Sequence, residues 1–213
     1  MAGDIGKIYN YKKKINQNFI QLLKFLKTKF INIILIAGNH EYYDCIHFNI
    51  SMDNIDDTIK TECNKLDVIF LQNESVIIEN ITIFGCTLFS DVTINDSNIM
   101  NDIHQIGNRN LLLQKFETHK KWLISNNFTN TQKNIIITHH VPFASNTENS
   151  SGYYTDIINK YFSNINCEFI NYWICGHTHT NICETINNIK IRSCCIGYPG
   201  EIFIKPRPSY INV

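Results

Sequence analysis

The feature that most constrains this chain is a short apolar run that ends in polar residues, Ile33 to Asp44, reading IILIAGNHEYYD. Its first five residues have the length and β-branched content of a strand buried on both faces. Gly38 then permits a sharp turn. Because ligands of α/β sheets bind outside the carboxyl ends of strands, this turn predicts a reaction centre. The residues that it would place there are Asn39, His40 and Glu41.

Length and composition indicate one globular domain. The 213 residues are 44% hydrophobic and 12% aromatic, which a disordered chain would not be. The 19 basic and 19 acidic residues balance, so a nucleic-acid partner is not indicated, although a local patch would escape this count. No apolar run reaches the roughly 20 residues of a membrane helix, and no membrane partner is expected. The oligomeric state is left open.

The eight cysteines form no C-x-x-C pair, and several lie inside apolar runs. Free thiols in a reducing compartment are therefore expected, rather than a disulfide framework or a zinc ribbon. With no hydrophobic signal region at the N-terminus, the sequence predicts a cytoplasmic protein.

Hydrophobic periodicity predicts helices alternating with strands and hairpins, which is typical of α/β layers with a mixed sheet. The predicted helices are Lys13 to Phe30, Asn54 to Leu66, Asn110 to Asn126 and Tyr154 to Ser163. The predicted strands after Ile33 to Ala37 are Val68 to Leu71, Ser75 to Glu79, Ile81 to Phe84, Ile135 to Ile137, Phe169 to Cys175, a hairpin of Ile182 to Ile186 with Ile189 to Cys195, and Glu201 to Ile204. His119 lies beside an apolar helical stripe and is predicted to be structural.

Similar polar groups follow four predicted strand ends. They are Gly3-Asp4, Gly38-Asn39-His40-Glu41, His139-His140 and Gly176-His177-Thr178-His179. Imidazoles together with oxygen ligands suit a divalent transition metal, and separate loops at one sheet edge could supply them. Two histidines spaced as H-x-H could serve two adjacent ions. The adjacent Tyr42 and Tyr43 are expected to pack this loop, with a place in the substrate cleft as the alternative.

With these motifs the sequence resembles the calcineurin-like metallophosphoesterases over nearly its whole length. The shared motifs are G-D, G-N-H-E, a lone histidine and G-H-x-H, and the further matches AGDIG, GNHEYY, GCTLFSD and GYPGE are similar to a subgroup of predicted phosphohydrolases. The resemblance implies a four-layer α/β/β/α sandwich formed by residues 1–213. It also implies a hydrolase of phosphate mono- or diesters that uses two divalent ions, such as Mn, Fe or Zn.

The resemblance further implies a role for each motif residue. Asp4 would bridge the metals, with Asn39, His139 and His177 at the second ion and His179 at the first; His140 is the alternative to His139. A metal-bridging hydroxide would attack phosphorus in line. His40 would stabilise charge on the phosphoryl oxygens or protonate the leaving alkoxide, with Glu41 or a neighbour orienting it.

The D-x-H motif of the family is absent from this sequence. Only three residues precede Asp4, and they contain neither its aspartate nor its histidine. The first metal would then keep only Asp4 and His179, fewer than the three protein ligands usual at catalytic sites. We therefore expect an N-terminally incomplete domain, through a truncated chain or real loss of the segment. The alternative function is a catalytically impaired binding or scaffold protein of the same fold.

Overall fold

The computed structural model describes residues 1–43, 45–91, 101–143, 158 and 167–197, and it shows helices packed on two β-sheets. The helices are α1 (Gln17–Lys27), α2 (Cys45–Phe48), α3 (Met52–Asn64), α4 (Asn101–Ile106) and α5 (Arg109–Ser125). The strands are β1 (Ile34–Leu35), β2 (Ile69–Phe70), β3 (Glu74–Ile78), β4 (Ile81–Cys86), β5 (Lys133–Thr138), β6 (Ile170–Cys175), β7 (Ile182–Ile186) and β8 (Ile189–Ser193). Except for position 158, the predicted helix 154–163 and strand 201–204 lie outside the described residues.

The larger sheet has six strands in the order β3-β4-β5-β6-β8-β7. Its inner pairs, β4 with β5, β5 with β6 and β6 with β8, are parallel, whereas the outer pairs are antiparallel hairpins. The smaller sheet pairs β1 with β2 in parallel, and Ala2 joins it through a parallel bridge to Ile36. The predicted α/β fold with mixed sheets is confirmed.

The three longest helices begin where the sequence offers an N-cap. Asn16, Ser51 and Asn108 each accept a backbone N–H from the first turn, which satisfies a donor that has no partner within the helix. The short helix α4 was missed because its six residues are too few to show a helical period. In the part of the chain that the structure describes, no helix is both long and apolar enough to cross a membrane.

The two sheets pack face to face through aliphatic side chains. Ile36 and Leu71 from the smaller sheet's side meet Ile83, Ile135 and Ile137 of the larger sheet in one buried cluster. Strand residues alternate between faces, so this cluster uses one face of each sheet. The opposite faces are left for the helices.

Helices cover those outer faces. Residues of α1 and α3, such as Leu23 and Ile59, are fully buried in the same cluster as Phe70 of β2. On the other side, Trp122 of α5 packs against Phe84 of β4 with ring centroids 6.5 Å apart. The layers therefore follow the order α/β/β/α.

Candidate active site

The turn after β1 contains a buried carboxylate, Glu41, that holds a neighbouring loop. One of its oxygens accepts the backbone N–H groups of Asp4 (2.8 Å) and Gly38 (2.6 Å), and the other accepts those of Ile5 (2.7 Å) and Gly6 (3.0 Å). Burial and the Asp4 carboxylate raise the pKa of Glu41, and the N–H donors oppose that rise. Since four donors need two lone pairs on each oxygen, the pocket fits the ionised carboxylate.

The sequence led us to expect that His40 would be oriented by Glu41 or a neighbour, and the structure shows what the Glu41 carboxylate binds. Its four acceptor positions are taken by backbone N–H groups, so the carboxylate fixes the loop and acts on His40 only indirectly. The loop presents Asp4 with a φ of 56°, a left-handed conformation that needs such support. Asp4 Oδ1 in turn accepts the His40 backbone N–H at 3.0 Å.

Three side chains from separate strand ends converge next to this loop. His139 Nε2 lies 2.9 Å from Asn39 Oδ1 and 3.3 Å from Asp4 Oδ2. His139 Nδ1 lies 2.6 Å from the Ala2 carbonyl oxygen, which can only accept, so Nδ1 carries a proton. In the neutral imidazole, Nε2 would then be a third acceptor facing two oxygens. Either a second proton on Nε2 or a cation must therefore lie between His139 Nε2 and these two oxygens, at a position that we call the metal-binding point.

The charges of these groups respond to one another. Burial alone would raise the pKa of Asp4, but His139 and then His40 lower it well below its usual range. Burial alone would lower the pKa of His139, but the Asp4 carboxylate raises it, with a net rise. The cluster thus stabilises positive charge at His139 Nε2, as a metal-binding point should.

His140 follows His139 but occupies a different environment. Its Nδ1 lies 2.8 Å from Ser90 Oγ, and its buried Nε2 has no hydrogen-bond partner among the described residues. Its ring stacks on His177 at 4.1 Å between centroids. One ring nitrogen from each of His139, His140 and His177 lies within 4.8 Å of the others, so this trio could hold a metal ion.

The G-H-x-H segment brings the last two histidines to the same edge. Burial, followed by the charge of His139, lowers the pKa of His177 to about 3, which leaves the ring neutral and able to ligate a metal. His179 has a φ of 54° and is half-buried. It contributes to the electrostatic environment of both His177 and His40.

His40 lies at the rim of this cluster with its side chain 24% exposed, so a substrate can reach it. Its Nε2 is 4.0 Å from Asp4 Oδ2. The Tyr43 ring stacks on the imidazole with centroids 4.2 Å apart. Burial lowers the pKa of His40, against an opposing effect of the Asp4 charge.

Hydrogen bonds behind the site fix the backbone of the histidine pair. The Thr87 carbonyl accepts the N–H groups of both His139 and His140 at 3.1 Å. Thr138 Oγ1 donates to the His140 carbonyl at 2.7 Å and accepts the Trp173 indole N–H at 2.9 Å. The backbone of the histidine pair is therefore held by buried groups in and next to the larger sheet.

Sequence reasoning missed one buried carboxylate in the site, Asp102 at the start of α4. Its Oδ1 accepts the Asn39 Nδ2 group and the Tyr43 hydroxyl, both at 2.8 Å. Both of its partners, Asn39 and Tyr43, were named from the sequence, but Asp102 itself lies 63 positions from Asn39 and no local pattern marks it.

This arrangement agrees with the family whose sequence model matches residues 1–181, the calcineurin-like phosphoesterases. The chain belongs to this family. Phosphoester hydrolysis is the activity of the family in general, and its members generally bind divalent metals. The expected family resemblance and fold are thereby confirmed.

Two individual proteins show how far the similarity extends. The chain is 30% identical to the uncharacterized protein L509 of Acanthamoeba polyphaga mimivirus, over 94% of this chain and 78% of that protein. Among solved structures, phosphopantetheinyl hydrolase (PptH) from Mycobacterium tuberculosis superposes with a TM-score of 0.67. That match covers 100% of this chain and 86% of the other at 13% identity, so it shows the fold alone.

Proposed function

We propose that this phosphoesterase is a metal-dependent hydrolase of phosphate mono- or diesters. The observation that carries the proposal is the convergence of Asn39 Oδ1, Asp4 Oδ2 and His139 Nε2, three atoms that share no proton when the imidazole is neutral. A cation satisfies all three at once. The donor set of imidazole, amide and carboxylate suits Mn, Fe or Zn.

The residues present fit a divalent centre. Asp4, Asn39, His139 and His177 would hold one ion, and Asp4 with His179 would reach a second. His139 is the better ligand than His140, because its Nδ1–H is fixed by the Ala2 carbonyl and its Nε2 faces the two oxygens. When bound, such ions supply Lewis acidity toward a phosphoryl group and lower the pKa of water.

His40 would act on the phosphate ester itself. Its lowered pKa keeps the ring neutral near pH 7, and a neutral imidazole still offers one N–H to a phosphoryl oxygen or to the leaving alkoxide. Stacking on Tyr43 and the backbone bond to Asp4 hold the ring in place while it stays accessible. Preorganised donors of this kind stabilise developing charge.

The proposal is tested by hydrolysis of 4-nitrophenyl phosphate and bis(4-nitrophenyl) phosphate with added Mn²⁺. His40→Ala should lower kcat by about 10²- to 10⁴-fold, because it removes a positioned proton donor. His104→Ala is the control, since this histidine is exposed on α4. Mn²⁺ binding without hydrolysis of either ester by the wild type would contradict the proposal and favour a binding or scaffold role.

A further inference from the structure

Asp102 is buried at the first turn of α4, with 6% of its surface exposed, and it touches two residues of the G-N-H-E-Y-Y segment. Its Oδ1 accepts Asn39 Nδ2 and the Tyr43 hydroxyl, both at 2.8 Å. Asn39 Nδ2 also donates to the Tyr43 hydroxyl oxygen at 3.2 Å, which closes a triangle of hydrogen bonds. A carboxylate used only to favour the helix N-terminus would need no such partners.

The first consequence concerns the amide of Asn39. Its two ends differ chemically, because Nδ2 can only donate and Oδ1 can only accept. Asp102 accepts, so Nδ2 must face it and Oδ1 must face His139 Nε2, at 2.9 Å. Without an acceptor at Asp102 the amide could rotate, and a donor would then point at the metal-binding point.

The second consequence concerns His40. The Tyr43 hydroxyl that Asp102 holds belongs to the ring on which the His40 imidazole stacks, with an interplanar angle of 26°. Asn39 and His40 are adjacent in sequence but their side chains serve different tasks. The Asp102 carboxylate thus contacts Asn39 directly and His40 through the Tyr43 ring.

We propose that Asp102 is a positioning residue that orients Asn39 directly toward the metal and His40 through Tyr43. The inference rests on the proposed function, since it assigns Asn39 to the metal and His40 to the substrate. Groups that hold a metal ligand from behind typically change metal affinity by about 10- to 100-fold when they are removed. The same range is expected here for removal of the Asp102 acceptor.

The test is a set of Mn²⁺ titrations by calorimetry on the full chain, with thermal melting recorded in parallel. Asp102→Ala should weaken Mn²⁺ binding about 10- to 100-fold. Asp102→Asn keeps an oxygen acceptor at the same place, so it should recover most of the affinity and still fold. Asp53→Ala is the matched control, because it removes an acidic residue from the first turn of α3, and its Mn²⁺ affinity should equal that of the wild type.

Tyr43→Phe separates the effect of Asp102 on Asn39 from its effect on His40. It keeps the ring on His40 and the 2.8 Å Asn39–Asp102 bond but removes the hydroxyl, with its longer 3.2 Å contact to Asn39 Nδ2. Mn²⁺ affinity should therefore change far less than in Asp102→Ala, while kcat falls several-fold at constant KM. A lower melting temperature for Asp102→Ala with unaltered Mn²⁺ affinity would overturn the inference, and absence of Mn²⁺ binding by the wild type would overturn it too. If the wild type binds Mn²⁺ but hydrolyses no ester, the proposed function fails, and the affinity ratios still decide whether Asp102 orients Asn39.

Discussion

Glu41→Gln should destabilise the fold far more than the loss of one charge suggests. The carboxylate accepts four backbone N–H groups at 2.6 to 3.0 Å, two on each oxygen. Glutamine replaces one oxygen by an amino group, so two of these donors lose their acceptor and face another donor. Hydrogen bonds to charged groups contribute about 1.5 to 3 kcal/mol each, which gives an expected loss of about 3 to 6 kcal/mol.

Urea unfolding followed by circular dichroism measures this loss as a change in the free energy of unfolding. Glu74→Gln is the control, because its side chain is 43% exposed and its ion-pair partner, Lys60, is 47% exposed. That variant should remain within about 0.5 kcal/mol of the wild type. A loss below about 1 kcal/mol for Glu41→Gln would refute the argument that the ionised carboxylate holds the Asp4 loop.

Two further predictions concern the scaffold. Burial lowers the pKa of His119 to about 3 from 6.5, and its Nδ1 accepts the Leu88 N–H at 3.1 Å. Below pH 6.5, His119 is therefore protonated in the unfolded chain but stays neutral in the folded chain, so the free energy of unfolding falls as the pH is lowered. Lowering the pH from 7.5 to 5.5 should cost the wild type about 1.4 kcal/mol more than His119→Asn, by urea unfolding at both values; an equal loss would contradict this. Gly85→Ala should cost about 1 to 3 kcal/mol, because its Cβ would lie 2.6 Å from Leu71 Cβ between the sheets. Gly107→Ala, which meets only the flexible end of a leucine, should cost less in the same assay, and equal costs would refute the packing argument.

Several residues of the candidate site could be predicted from the sequence, because the carboxyl ends of buried strands have a recognisable sequence pattern. An apolar run followed by a polar turn marks the carboxyl end of a buried strand, and such ends meet at one edge of a sheet. Asn39, His139 and His177 follow β1, β5 and β6 in this way, and the structure brings Asn39 and His139 to 2.9 Å. His119 was likewise predicted to be structural and is buried.

The remaining features depend on partners that are distant in sequence. From the sequence, Glu41 was assigned a role in orienting its neighbour His40, but the Glu41 oxygens bind a loop some 35 positions away. Asp102 lies between the elements predicted from the sequence, because a six-residue helix is too short to show a helical period and the hydrogen bonds of Asp102 join residues 59 and 63 positions apart. Local patterns indicate which groups stand at a sheet edge, and tertiary packing alone decides which of them hold the others.

A metal centre at His139 is tested most directly by elemental analysis of metal content after equilibrium dialysis against Mn²⁺, for the wild type and His139→Ala. The wild type should retain roughly one Mn²⁺ per chain or more, and His139→Ala should lose most of it, because Nε2 is the atom that Asn39 and Asp4 face. His104→Ala should behave as the wild type. Equal metal content in wild type and His139→Ala, or none in either, would contradict a metal centre at this point.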